Sequence, residues 1–155
     1  MCSRRSRGTP QQGLGRSKGG FTTKIHLRVN ALGLPIGFAL TGGEVSDFRG
    51  YGPLLEQEGP PAKILLADKG YDADFIRKDM EQRGGIALIP TRRNRKEQIP
   101  IDPAIYALRN IIERCFNKLK NARRLATRYD KTALSYAAFV SICSIRLWFR
   151  HFECA

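Results

Sequence analysis

Acidic residues are scarce in this chain. Across 155 residues, 14 Asp and Glu face 27 Lys and Arg, a formal charge of +13 and a pI near 10.1. Such a surplus fits a polyanionic partner, most often nucleic acid, and is wider than a small acidic substrate requires. Cysteine is also sparse. Cys2, Cys115, Cys143 and Cys154 form no Cys-x-x-Cys pair and have no paired histidines beside them. That spacing excludes a zinc site and argues against a disulfide scaffold. Arg4, Arg5 and Arg7 open the chain without an apolar signal region, so the thiols are expected to be reduced in a cytosolic protein. Long hydrophobic runs are lacking too. The most apolar stretch, residues 133–149, holds Arg146 and three serines and falls short of the ~20 residues a membrane span needs. It predicts a helix packed on the core or on a partner. No repeats occur, and no aromatic cluster of the kind single-stranded RNA readers use. A hydrophobic fraction of 42% suits one compact domain.

Punctuation then divides the chain. Residues 1–20 hold five basic residues, five glycines and no acid, which predicts a flexible basic arm, with one domain over residues 21–150. Ile25, Leu27 and Val29 alternate with Lys24, His26 and Arg28, a half-buried strand over residues 21–30. A turn at residues 31–35 returns it as a second strand over 36–41. Asp47 is placed to cap a short helix over 51–56. Residues 63–67 and 86–89 read as strands buried on both faces, separated by a helix over 74–83. A basic loop follows with Arg92, Arg93, Arg95 and Lys96. A long helix is expected from Pro103 to about residue 125, with proline tolerated in its first turn, and a last helix over 132–150. The fold class is α/β with a mixed sheet.

Two acids stand where chemistry is possible. Asp68 ends a strand and begins the run Asp68-Lys69-Gly70-Tyr71-Asp72; ligands bind at the carboxyl edge of open α/β sheets, although capping a turn is the ordinary role of such an Asp. On the long helix Ile105, Leu108, Ile112, Phe116 and Leu119 form the core stripe. Tyr106, Arg109, Glu113 and Lys120 share a neighbouring stripe, so Glu113 stands at its border. A carboxylate there can share a cation with Asp68 while Arg109 and Lys120 meet phosphates. An exposed Arg109–Glu113 pair worth about 0.3–0.5 kcal/mol is the alternative. Between Thr91 and Arg128 eleven basic residues face only three acids, for which a phosphate backbone is the natural counter-charge.

The spacing Tyr106-x2-Arg109-x3-Glu113-x6-Lys120 resembles the signature around the glutamate of DDE transposases of bacterial insertion sequences. Asp68-Lys69-Gly70-Tyr71-Asp72 looks like the block around that family's second aspartate. The stretches GRSKGGFTTKIHL from Gly15 and LTGGEVSD from Leu40 resemble those between its first and second acids. The likeness runs from about residue 13 to 149 and is nearest the insertion-sequence-five type. It implies a ribonuclease-H-like mixed sheet with flanking helices. It also implies two Mg2+ ions, with Asp68 and Glu113 as two of three acidic ligands. DNA is nicked at the element ends, and the freed 3′-hydroxyl attacks target DNA. Tyr106, Arg109 and Lys120 would hold DNA near the scissile phosphate. Asp72 and Asp47 would be supporting acids.

One departure stands out: no Asp or Glu precedes Glu44. The family's first aspartate and the strand that carries it are therefore missing, and the strand over residues 21–30 is expected to be an exposed edge. The chain is expected to be inactive alone. It would become active when completed by upstream sequence; a homo-oligomer or a fusion with an upstream frame is expected, acting on double-stranded DNA in the bacterial cytoplasm at the nucleoid. The alternative is a non-catalytic DNA-binding fragment that inhibits transposition, or a decayed remnant.

Overall fold

The computed structural model describes residues 12–17 and 20–153. Its first sheet is antiparallel, in the order β1 (Gly15–Ser17), β2 (Gly20–Val29), β3 (Pro35–Gly42). β2 and β3 pair from Thr23 opposite Gly42 to Val29 opposite Pro35. The Asn30 side chain closes their turn by accepting from the N–H groups of Leu32 and Leu34, and Gly33 takes φ +75°, a conformation glycine adopts without steric cost. A single 3-10 turn at Asp47–Gly50 leads into α1 (Tyr51–Leu55). Then β4 (Ile64–Leu66), α2 (Asp74–Gln82) and β5 (Ile86–Leu88) form a parallel pair with its crossover helix. The architecture is mixed α/β, but among the described residues the strands form two sheets, not one. β4 and β5 have three residues each, and the link from β2 to the turn after β4 is made by side chains, chiefly His26 and Tyr71.

In the described amino-terminal residues β1 runs beside the start of β2. The expected arm lies outside the described residues up to residue 11. Beyond it, β1 sets Arg16 opposite Phe21, and Arg128 and Thr23 both donate to the Gly13 carbonyl. The β2 edge is therefore partnered at its start. The buried strands expected at 63–67 and 86–89 are also only partly covered, for Ile64 and Ile86 are exposed.

The second half is helical: α3 (Pro103–Ala107), α4 (Asn110–Lys120), α5 (Arg123–Ala126) and α6 (Ala133–Glu153). The single long helix expected from Pro103 breaks twice. Asp102 caps its start, accepting from the N–H groups of Ala104 and Ile105. At the first break Leu108 and Arg109 donate three residues back, to Ile105 and Tyr106, the tighter 3-10 pattern. The break turns Leu108 outwards, so it leaves the expected core stripe.

Two apolar cores hold these elements. Leu27 of β2 packs with Cys115 and Leu119 of α4, Leu125 of α5, and Tyr136 and Val140 of α6. Tyr51, Ile76, Met80 and Ile89 form the other, around α2 and the parallel strands. Each such side chain fully removed from water contributes about 1.5–3 kcal/mol. The residues 133–149 helix buries one stripe only; Ile142, Ile145 and Phe149 are exposed.

Candidate active site

Asp68 follows β4 and starts the 3-10 turn Lys69–Tyr71, accepting a 2.6 Å hydrogen bond from the Lys69 N–H. It is exposed. Glu113 lies in the first turn of α4, also exposed, and its carboxylate is ion-paired with Arg109 one turn earlier. The Arg109 guanidinium stands 5.6 Å from the centre of the Tyr106 ring. Tyr106 itself is half-buried on α3, and its phenol is raised above the usual range. Burial is the main cause; Arg109 opposes it, and the negative charges of both Asp68 and Glu113 add to it. Asp68, on the turn after β4, and Glu113, on α4, thus both act electrostatically on the Tyr106 phenol. Lys120 is exposed, two turns beyond Glu113, with its ammonium 6.0 Å from the Phe116 ring. Among the described residues, no group of three or more His, Cys, Asp or Glu side chains could hold a metal ion.

Asp72 has the opposite surroundings. It is 7% exposed, and its carboxylate accepts from Arg77 at 2.9 Å, Arg95 at 3.1 Å and the Arg92 N–H at 2.9 Å. Burial alone would raise its pKa. The Arg92 N–H and the two guanidiniums outweigh it and hold the group below the ordinary carboxylate range. Arg95 reaches on to Asp74. Arg92 donates to the carbonyls of Lys69 and Gly70 and lies 5.7 Å over the Phe48 ring. The basic loop is thus folded onto the Asp68–Asp72 turn. Of its four predicted DNA contacts, Arg92 and Arg95 are engaged in holding that turn, and Arg93 and Lys96 are exposed.

A third layer was not legible as such. His26, expected on the solvent face of β2, is 3% exposed. Its Nδ1 lies 2.6 Å from the Tyr71 hydroxyl and its Nε2 lies 2.8 Å from Thr41 Oγ1. Removal from water lowers its pKa; Asp47 pulls it back up and Lys24 pushes it down. Beside it Lys24 pairs with Asp47 at 2.8 Å. The Asp47 carboxylate sits so close to Gly70 that a Cβ there would meet Oδ2 at 2.5 Å. β2 is covered on both faces because the turn at Asp47–Gly50 lies on its polar side; a Cβ on Gly50 would meet the His26 ring at 2.3 Å. A signal existed in the two short motifs that hold His26 and Tyr71, but alternation counts any histidine as polar.

Comparison with known proteins identifies the family. The family model described as transposase DDE domain matches residues 3–148. A protein of Brucella ovis named as a transposase for insertion sequence element IS6501 is 36% identical over 134 residues, 83% of this chain and 99% of that one. A protein of Burkholderia cepacia named as a transposase for insertion sequence element IS402 is 28% identical over 137 residues. That match covers 81% of this chain and 63% of the relative. No solved structure matches. With a family match over nearly its whole length, the chain belongs to the DDE-domain transposases, proteins of DNA transposition.

Proposed function

We propose that this chain carries the DNA-cleaving and strand-transferring part of an insertion-sequence transposase of the insertion-sequence-five type, built on a ribonuclease-H-like sheet. Support comes from the family match over residues 3–148 and from two exposed carboxylates, Asp68 at the end of β4 and Glu113 on α4, the latter paired with Arg109, which stands over the Tyr106 ring. Carboxylate oxygens are the donors that a hard divalent cation takes, and the family uses such ions. Mg2+, two ions in the complete enzyme, would stabilise the charge on the attacking and leaving oxygens of phosphoryl transfer.

The donor chemistry fits; the donor count does not. Two candidate acids, Asp68 and Glu113, are present, and no Asp or Glu precedes Glu44. In this reading a third acid and its strand come from an upstream segment, supplied as a fusion or by another protomer. Asp68 and Glu113 then provide two ligands. Tyr106, Arg109, Lys120, Arg93 and Lys96 hold the backbone of duplex DNA, at the element ends and at the target. Asp72, Arg92 and Arg95 position the Asp68 turn. The setting is the bacterial cytoplasm, at the nucleoid.

The test is magnesium-dependent cleavage of duplex DNA carrying the element ends. The chain alone should give no turnover, and joining it to the acid-bearing upstream segment should restore cleavage. Glu113→Gln should abolish cleavage in the joined protein while DNA binding persists. Turnover by the chain alone, or by the joined Glu113→Gln protein, contradicts the reading.

A further inference from the structure

A second basic surface lies away from the Asp68–Glu113 edge. The tip of the β2–β3 hairpin, the end of α4 and the last turns of α6 enclose a groove of about 630 Å³. Leu34 and Leu147 contribute to its apolar floor, and its cations are Lys118, Arg146, Arg150 and His151. No Asp or Glu lines it. None of the seven ion pairs among the described residues involves these four side chains. Lys118, Arg146 and Arg150 are exposed. Positive charge without internal counter-charge, gathered in a concave surface, calls for an external anion.

The geometry points to the phosphodiester backbone of DNA as that anion, at a site separate from Asp68 and Glu113. Taking 3.6 residues per turn, Lys118 lies roughly 140° around α4 from Glu113, so the two surfaces face different ways on one helix. Arg146 and Arg150 sit one turn apart on α6, about 6 Å along its axis. That is on the scale of one to two phosphate steps at about 3.4 Å per strand. Apart from Asn121 and the cations, the lining is mostly apolar, which suits contact to sugar and phosphate rather than to base edges. A second copy of this chain is a poor occupant, since each brings a charge of +13. The inference rests on the reading of the chain as a protein that acts on DNA. It adds a second hold, by which one stretch of duplex is kept on the protein while another lies at Asp68 and Glu113.

The experiment is fluorescence anisotropy of the full chain with a labelled random-sequence duplex, repeated over a series of salt concentrations. Three variants are compared with the wild type: Lys118→Gln/Arg146→Gln/Arg150→Gln in the groove, Arg146→Lys/Arg150→Lys in the groove, and Arg93→Gln/Lys96→Gln in the loop. Each phosphate contact contributes about 0.9 to the slope of log affinity against log salt. The triple Gln variant should therefore lose about 2 to 3 units of slope and bind at least about tenfold more weakly at moderate salt. The Lys pair should keep the wild-type slope, and thermal unfolding should show all three variants as stable as the wild type. The groove inference is overturned if the triple variant binds with unchanged slope while the loop variant loses slope, an outcome that leaves the DNA reading intact. A wild-type chain that does not bind duplex DNA overturns both.

Discussion

The run from Asp68 to Asp72 holds two carboxylates with opposite fates. At its start Asp68 is exposed and accepts a hydrogen bond from the next backbone N–H. At its end Asp72 is nearly out of water and satisfied by two guanidiniums and an amide. A carboxylate whose lone pairs are all taken by protein donors has none to offer a cation or a substrate. One whose lone pairs face water has. The same contrast divides the basic loop, where Arg92 and Arg95 face inwards to the turn and Arg93 and Lys96 face out. In a chain this basic, the number of cations says little about binding; which of them already have partners says more.

The contrast can be broken most sharply at the buried end. Asp72→Ala removes the carboxylate that Arg77 and Arg95 share, leaving Arg77 with the Ala87 and Ile89 carbonyls and Arg95 with Asp74. It is expected to destabilise the fold by about 3–5 kcal/mol in denaturant unfolding, the usual cost of removing one member of a buried ion pair. A loss below 1 kcal/mol would show that Asp72 is no hub. Acid sharpens the same point. Because Asp72 is held below its ordinary value, its stabilisation is complete above the unfolded pKa, about 3.9, and fades as pH falls through the lower folded value. Asp79, lowered chiefly by the Tyr51 hydroxyl and Arg83, adds to that fall. Asp72→Asn should flatten the stability profile below about pH 4.

His26 gives the next effect. Its folded pKa is depressed, so below about pH 6.5 the unfolded chain binds more protons and stability drops as pH falls through that region. Thermal unfolding should show the drop in the wild type and its absence in His26→Gln; a drop that persists in the variant assigns it to other groups. The smallest effect belongs to the open end. Asp68→Asn and Glu113→Gln should each leave stability within about 0.5 kcal/mol, as expected for surface changes away from buried networks.

Much of this was readable in advance, where one pattern governed one element. Alternation placed the hairpin. Gly84-Gly85 and the apolar period set the end of α2, and Asp102-Pro103 marked the start of α3. Arg109 pairs with Glu113 and stands over the Tyr106 ring, whereas Lys120 lies over the Phe116 ring. The break at Leu108–Arg109 did not show, because no Gly or Pro interrupts the period there. β1 spans only Gly15–Ser17 and carries no pattern at all. The burial of His26 and the inward turn of Arg92 and Arg95 depend on what covers them, and sequence spacing does not encode a cover supplied by residues 47–50 or by a carboxylate 20 positions earlier.

The most direct test is a manganese titration of the chain, with bound and free ion distinguished by electron paramagnetic resonance. Weak binding is expected in the wild type. It should be lost in Asp68→Asn and in Glu113→Gln, and kept in Asp72→Asn under conditions where that variant is folded. Binding that survives in the Asp68→Asn/Glu113→Gln double variant, or that depends on Asp72 instead, would contradict the assignment of the exposed acids as the working pair.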